Sequence, residues 1–217
     1  MVEFQTLRTM MVDTQVRPSD VTKFPIISAM LDVPREDFVP RAAQPVAYMD
    51  APLNLGSGRE MMEARVLAKV LDALDIQRSD QVLIIGGGLG YSAAVLGHMA
   101  ESVVMVEEDA TLASEAESNL AQHEIDNAVV LQAPLMDGAA KAAPFDVILI
   151  EGAVETVPEA LTAQLAEGGR IAAVFADGAH GEVRIGTLID GHLGWRTSFN
   201  ASGPVLPGFS KSTGFVL

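Results

Sequence analysis

The 217-residue chain contains no cysteine, which excludes disulfides, thiolate metal sites and a cysteine nucleophile. That composition is compatible with a reducing cytoplasm, the compartment expected for it. No apolar run approaches the ~18 residues that cross a bilayer, and the start, MVEFQTLRTMMVDTQ, has no long apolar core behind a basic segment. A protein with neither membrane span nor export signal is expected. Bases are scarce: 14 against 29 acids give a net charge of −15, a field that repels nucleic-acid phosphates and anionic lipid surfaces. Neither nucleic acid nor membrane is an expected partner, and oligomeric state is left open. No block of five like charges occurs, so the acidity reads as solubility rather than an acidic tail. The GxxxxGK(S/T) loop is missing, which argues against ATP or GTP held by that device. His98, His123, His180 and His192 share no metal-ligand spacing, so no metal site is expected and each reads as a surface or capping residue.

What is present is a chain 49% hydrophobic, enough for one sizeable α/β domain or one domain with an elaborated end. Its most informative stretch is VLIIGGGLGY, Val82 to Tyr91. A Val/Ile-rich strand buried on both faces delivers the chain to a glycine turn, and an Ala-rich helical pattern follows. Glycines there allow positive φ and leave no Cβ between backbone amides and a ligand, and the free N–H groups of the helix start face the same spot. A second apolar run, Val103 to Val106, ends at Glu107, 21 residues after Gly86, where a carboxylate can take both hydroxyls of a ribose. Gly86, Gly87, Gly88 and Gly90 with Glu107 are thus the expected cofactor-binding residues, and the adjacent Glu108 is assigned to the adenine edge.

Elsewhere the pattern predicts short helices joined by turns from Phe4 to Ala29. Residues 33 to 58 hold four prolines and two glycines, which deny both helix and regular sheet and predict a long ordered connection. Leu67, Val70, Leu71 and Leu74 mark an amphipathic helix over Glu63 to Asp75. The rest alternates: strand 82–85, helix 91–100, strand 103–106, helix 110–123, strand 128–131, strand 145–150, helix 158–167 closed by Gly168-Gly169, and strand 170–175. Alternation of this kind gives a doubly wound, mostly parallel sheet with ligands at the carboxyl ends of its strands. Apolar alternations at Trp195–Phe199 and Gly214–Leu217 are expected to add antiparallel strands at the sheet edge. A division follows: 1–60 as a helical and loop appendage covering the site, and 61–217 as the cofactor-binding domain.

Two cofactors fit the turn. From Gly86 it reads GxGxG, the spacing of S-adenosylmethionine turns; from Gly88 it reads GxGxxA ending at Ala93, the dinucleotide fingerprint. Other segments separate them. Met11-Val12-Asp13, VPREDFVP at 33–40, Ala47-Tyr48-Met49-Asp50-Ala51-Pro52-Leu53, the glycine turn with Gly90-Tyr91, and PFDVILIEGAVETVPEALTAQLAEGGRIAAV at 144–174 occur in that order. Over about residues 8–175 the chain resembles the protein-L-isoaspartate O-methyltransferase family. The resemblance implies a Rossmann-like methyltransferase fold, S-adenosylmethionine as cofactor, and methylation of isoaspartyl carboxylates in damaged proteins or peptides, the first step of their repair.

The chain departs from that family at three places. The family's Gly-Gln-Thr-Ile-Ser-Gln-Pro segment corresponds to Gly58-Arg59-Glu60-Met61-Met62-Glu63-Ala64, so Met62 stands at the position of its active-site hydroxyl and no catalytic residue is assigned. Its first-strand acid is Ile84 here, and its adenine-binding Gly-Asp-Gly aligns with Ala133-Pro134-Leu135, with Asp137-Gly138 nearby. A carboxylate acceptor is already ionised at neutral pH and needs no general base, so a lost hydroxyl bears mainly on substrate recognition. Plainer readings stand beside these: Met61 and Met62 as core fillers, Glu60 as a solvated helix-start acid, Tyr48 and Trp195 as packed aromatics rather than groove walls. Two further hypotheses are a relative that keeps the fold as a binding module without isoaspartyl methylation, and a nicotinamide-dependent oxidoreductase using the Gly88 register.

Overall fold

A computed structural model of the chain describes residues 3–177 and 180–211. The N-terminal stretch is a set of short helices joined by turns, as its interrupted pattern predicts. α1 (Phe4–Met11) runs through a π-type turn (Val12–Val16) and a 3-10 turn (Arg17–Ser19), and α2 (Phe24–Asp32) follows. Met11, Val12, Val16, Ile26 and Met30 share one continuous core with Val82 and Ile84 of the central sheet.

The 33–58 connection departs from expectation. Its prolines start or interrupt two 3-10 turns, Arg35–Phe38 and Arg41–Val46, and its end is not loop at all. β1 (Leu53–Gly56) and β2 (Arg59–Met61) form an antiparallel hairpin that runs across residue 60. The physical reason is the alternation Leu53, Leu55, Arg59, Met61: all four are buried, while Asn54, Gly56, Ser57 and Gly58 are exposed. Asn54 Oδ1 accepts the Gly56 amide at 2.8 Å, closing the bend.

α3 (Ala64–Leu74) buries Leu67, Val70, Leu71 and Leu74, the stripe that its spacing predicts. Next come β3 (Gln81–Ile85), α4 (Tyr91–Gly97), β4 (Ser102–Glu107), α5 (Ala110–Gln122), β5 (Ala128–Gln132), β6 (Phe145–Val154), α6 (Glu159–Thr162), β7 (Leu165–Asp177), β8 (His180–Ile189) and β9 (His192–Asn200). The seven-stranded sheet has the order β5-β4-β3-β6-β7-β8-β9, parallel from β3 to β7 and antiparallel at β8 and β9. β3 is central because it is apolar on both faces: Val82 and Ile84 enter one hydrophobic cluster, Leu83 and Ile85 the other. The chain leaves β3 toward β4 and β5 and returns on its other side at β6. That reversal of strand order opens a crevice at the carboxyl ends of β3 and β6.

Helix 158–167 does not form as expected. α6 is a single turn, and Gly168-Gly169 lies inside β7. Gln164 ends the helix: its buried amide accepts from Ala139 N at 2.9 Å and donates to Asp137 O and Ala160 O, both at 2.8 Å. Its backbone carbonyl accepts Phe145 N at 2.8 Å, which starts the β6–β7 pairing. α4 closes at Gly97, short of residue 100. The Trp195–Phe199 alternation lies in β9, where Trp195 packs edge-on against Phe175 with ring centroids 4.9 Å apart. Gly214–Leu217 lies outside the described residues.

Candidate cofactor site

Gly86 to Gly90 carry the chain from β3 into α4. Gly86, Gly88 and Gly90 all have positive φ, at +77°, +56° and +92°. Gly87 is needed for space instead: a Cβ there would lie 2.4 Å from Met105 Sδ. Glu107 ends β4, is fully buried, and turns toward the glycine turn, where its Oε2 accepts the Gly88 amide at 3.1 Å. The turn and the carboxylate that the sequence picks out are therefore brought together.

The hairpin is what the sequence did not disclose. Arg59 is 1% exposed and makes a forked ion pair with Glu107, Nε to Oε2 at 3.1 Å and Nη2 to Oε1 at 3.0 Å. Glu107 Oε1 also accepts the Asp109 amide at 3.1 Å. Four N–H groups thus fill the roughly four acceptor positions of one carboxylate. Arg59 Nη2 also reaches Glu108 Oε1 at 3.2 Å, so Glu108, the residue assigned to an adenine edge, faces the hairpin's guanidinium. Leu55 covers Gly88 so closely that a Cβ on Gly88 would lie 2.5 Å from Leu55 Cδ1. At the hairpin tip Ser57 Oγ donates to Asp109 Oδ2 at 2.6 Å, and Asp109 caps α5 through Thr111 N and Leu112 N.

What remains of the crevice is a cavity of about 10 Å³ bounded by Leu55, Met61, Met62, Gly87, Tyr91, Ser92 and Glu151. That is room for about one water, against the ~300 Å³ or more of a small-molecule pocket. The turn and Glu107 have the shape and polarity to cradle a nucleoside, yet Leu55 and Arg59 occupy that space. In this conformation Leu55 and Arg59 stand between a ligand and Glu107.

Buried polar groups gather at the same cavity. Glu151, near the carboxyl end of β6, has its carboxyl pushed up to about 7 by burial, with Ser92 and the charge of Arg35 working in the opposite direction. Arg35 is wholly buried; its Nε donates to Ala47 O at 2.9 Å, its Nη2 to Met62 O at 2.6 Å, and its guanidinium lies 4.8 Å from the Tyr91 ring centre. Burial lowers the Arg35 pKa and raises that of Tyr91. Met62 is half-buried and packs against the main core, consistent with its reading as a filler, but it also lines this cavity. It lines a second small cavity with Glu63 and Ser202, and these two residues continue into an open groove of about 510 Å³ over β7, β8 and the start of α3.

Of the other singled-out residues, Ile84 is fully buried in the core, and Asp137 is exposed in a 3-10 turn (Leu135–Asp137). Tyr48 is buried and packed: its hydroxyl donates to Glu36 Oε2 and accepts from Arg8 Nε at 3.0 Å. His123 Nε2 lies 3.2 Å from Asp37 Oδ2. No helix among the described residues is long and apolar enough to cross a membrane. Sequence reasoning missed Arg59, Leu55, Arg35 and Glu151. For the first two the signal was on the page, an inward-facing alternation through Leu53, Leu55, Arg59 and Met61 around a Gly-Ser-Gly bend.

Comparison with known proteins gives one family. The family model described as protein-L-isoaspartate(D-aspartate) O-methyltransferase matches residues 8–182. The protein-L-isoaspartate O-methyltransferase of Koribacter versatilis is 40% identical over 164 residues, covering 76% of this chain and 74% of its own. That of Methylorubrum extorquens is 40% identical over 167 residues, covering 76% and 72%. Among solved structures, a protein-L-isoaspartate O-methyltransferase superposes with a TM-score of 0.81 at 23% identity, over 95% of this chain and 66% of that longer one. A Plasmodium falciparum structure described as the same kind of enzyme, in complex with S-adenosyl-L-homocysteine, gives 0.80 at 17% identity, over 95% and 99%. These two likenesses bear on the fold.

Proposed function

Because the chain belongs to the protein-L-isoaspartate(D-aspartate) O-methyltransferase family, whose members are S-adenosylmethionine-dependent, we propose that it is a methyltransferase of that type. In this reading it acts in the cytoplasm on proteins or peptides bearing isoaspartyl residues. The observation that carries the reading is the meeting of Glu107 with the Gly88 amide at the carboxyl end of β3, the place where the fold takes a nucleoside. Gly86, Gly87, Gly88 and Gly90 shape the cradle, and Glu107 is the acceptor for ribose hydroxyls once Arg59 has released it. Residues 1–60 are assigned as the cover and 61–217 as the cofactor-binding domain, a boundary that falls one residue before the end of the hairpin. The acceptor peptide lies in the groove over β7 and β8, which shares Glu63 and Ser202 with a small cavity lined by Met62. Lining that groove, Glu63, Asp177 and Glu182 outnumber Arg65, so the acceptor's carboxylate meets unfavourable charge unless a base of the peptide offsets it.

Equilibrium dialysis with labelled S-adenosylmethionine, followed by transfer of the label to an isoaspartyl peptide, tests both halves. Binding and transfer are the expected results, and transfer should be insensitive to replacing isoaspartyl by aspartyl only if the substrate assignment is wrong. A second reading is favoured by the Arg59–Glu107 pair: a relative that keeps the fold for binding and no longer turns over. Cofactor binding without transfer to any isoaspartyl peptide selects it.

A further inference from the structure

We infer that the β1–β2 hairpin is a displaceable occupant of the cofactor crevice, and that Arg59, by holding Glu107, sets the affinity of that crevice for ribose-bearing ligands. The inference rests on the cofactor reading above. Its basis is stereochemical: the Arg59 fork presents two parallel N–H donors to the two oxygens of Glu107, the arrangement that the vicinal hydroxyls of a ribose present to a carboxylate. With the Gly88 and Asp109 amides also bound, Glu107 has no free acceptor position, so a ribose gains it only by replacing Arg59.

The hairpin is a ribbon apart from the main sheet. Its strands pair with each other in a separate two-stranded sheet, so lifting it breaks no rung of the seven-stranded sheet. It is held by side chains: Leu53, Leu55 and Met61 in the main core, Leu55 also on Gly88, Arg59 on Glu107 and Glu108, and Ser57 on Asp109. Arg59 Nη1 is buried and makes no hydrogen bond to the described residues. Just beyond the hairpin, Arg35 Nη2 donates to the Met62 carbonyl at 2.6 Å, a fixed end for the inferred displacement.

The test uses the full chain and S-adenosyl-L-homocysteine as probe, with calorimetric titration of the unmodified protein, Arg59→Gln, and Arg59→Gln combined with Glu107→Gln. A closed population lowers apparent affinity by the fraction that is open, so Arg59→Gln is expected to bind about tenfold tighter or better, and the double variant to lose the gain. Hydrogen exchange gives a readout independent of affinity: the probe is expected to speed exchange of the amides in 53–61 of the unmodified protein. Equal or weaker binding by Arg59→Gln, or slowed exchange in the hairpin, overturns the inference and leaves the cofactor reading standing. Absence of binding at millimolar probe in both folded proteins overturns both. If Arg59→Gln does not fold, Arg59→Lys, which keeps the charge and loses the fork, is expected to show a smaller gain of the same sign, and no gain overturns the inference.

Discussion

Leu55 Cδ1 lies where a side chain on Gly88 would begin, 2.5 Å from the position of its Cβ. The hairpin and the glycine turn are therefore fitted to each other, and each constrains what the other can be. Gly88→Ala adds that clash to a backbone at φ +56°, and a loss of roughly 2–4 kcal/mol is expected from strain and overpacking together. Leu55→Ala alone is expected to lose about 2 kcal/mol, toward the low end for a leucine because one side of it is turn rather than core. Combined, the two should lose less than their sum by about 1 kcal/mol, since the truncated Leu55 makes room for the new methyl. Urea unfolding of the four proteins measures the coupling; strict additivity would mean that the two residues do not share this contact.

Glu151 carries a pH dependence whose direction follows from its burial. Its carboxyl titrates near 7 in the folded chain against an ordinary value of 4.5, so the folded state holds the proton more tightly than the unfolded one. The stabilisation is complete below about pH 4.5 and is lost as pH rises through 7. A shift of that size corresponds to of order 3 kcal/mol. Glu151→Gln, neutral throughout, should therefore be more stable than the unmodified protein at pH 8 and lose that advantage by pH 5. Chemical denaturation at the two pH values checks it; a difference that does not change with pH would show that Glu151 is ionised in both states.

The strand-and-turn skeleton was legible because it depends on local chemistry. Val82–Ile85 is apolar on both faces, so it had to be central, and glycines at its end had to make the turn; Glu107 followed from the spacing alone. The hairpin was hidden by the prolines before it and the glycines at its bend, which argue correctly against α-helix in 33–58 but wrongly against a short two-stranded ribbon. Arg59 was hidden for a different reason. Burial of a guanidinium is favourable only when a carboxylate from a distant segment meets it, and Glu107 lies 48 residues away in sequence. Gln164 likewise looks like one more helical residue until its three partners at Ala139, Asp137 and Ala160 are known.

That clamp yields its own prediction. Gln164→Leu preserves the bulk of the side chain and leaves the Ala139 amide and the Asp137 carbonyl without their partner, at about 1–3 kcal/mol for each buried group left unpaired. A total loss of roughly 2–4 kcal/mol is expected, with faster hydrogen exchange at Ala139 as its local sign. Because helix propensity favours leucine over a broken turn, α6 should also lengthen toward residue 165, visible as added helical signal in far-ultraviolet circular dichroism. Unchanged exchange at Ala139 would show that the clamp is not what holds the 135–137 turn.

Arg170 ties the start of the sheet core to the loop behind α3. Its Nη2 and Nη1 reach Asp80 at 2.7 and 3.3 Å, and its Nε and Nη2 donate to the carbonyls of Leu74 and Asp75 at 2.8 and 2.9 Å. Asp80 also accepts the Gln77 amide at 2.8 Å, so one buried carboxylate organises the whole turn between α3 and β3. Arg170→Ala leaves that carboxylate buried without its cation, and a loss of about 3 kcal/mol is expected. Arg170→Lys should recover only a minor part, because an ammonium cannot serve two carbonyls and a carboxylate in one plane. Asp80→Asn in the Arg170→Ala background removes the stranded charge and should restore about 1 kcal/mol, whereas in the unmodified protein the same substitution should destabilise. That reversal of sign, read from thermal or urea unfolding, separates a buried charge pair from mere packing by the arginine stem.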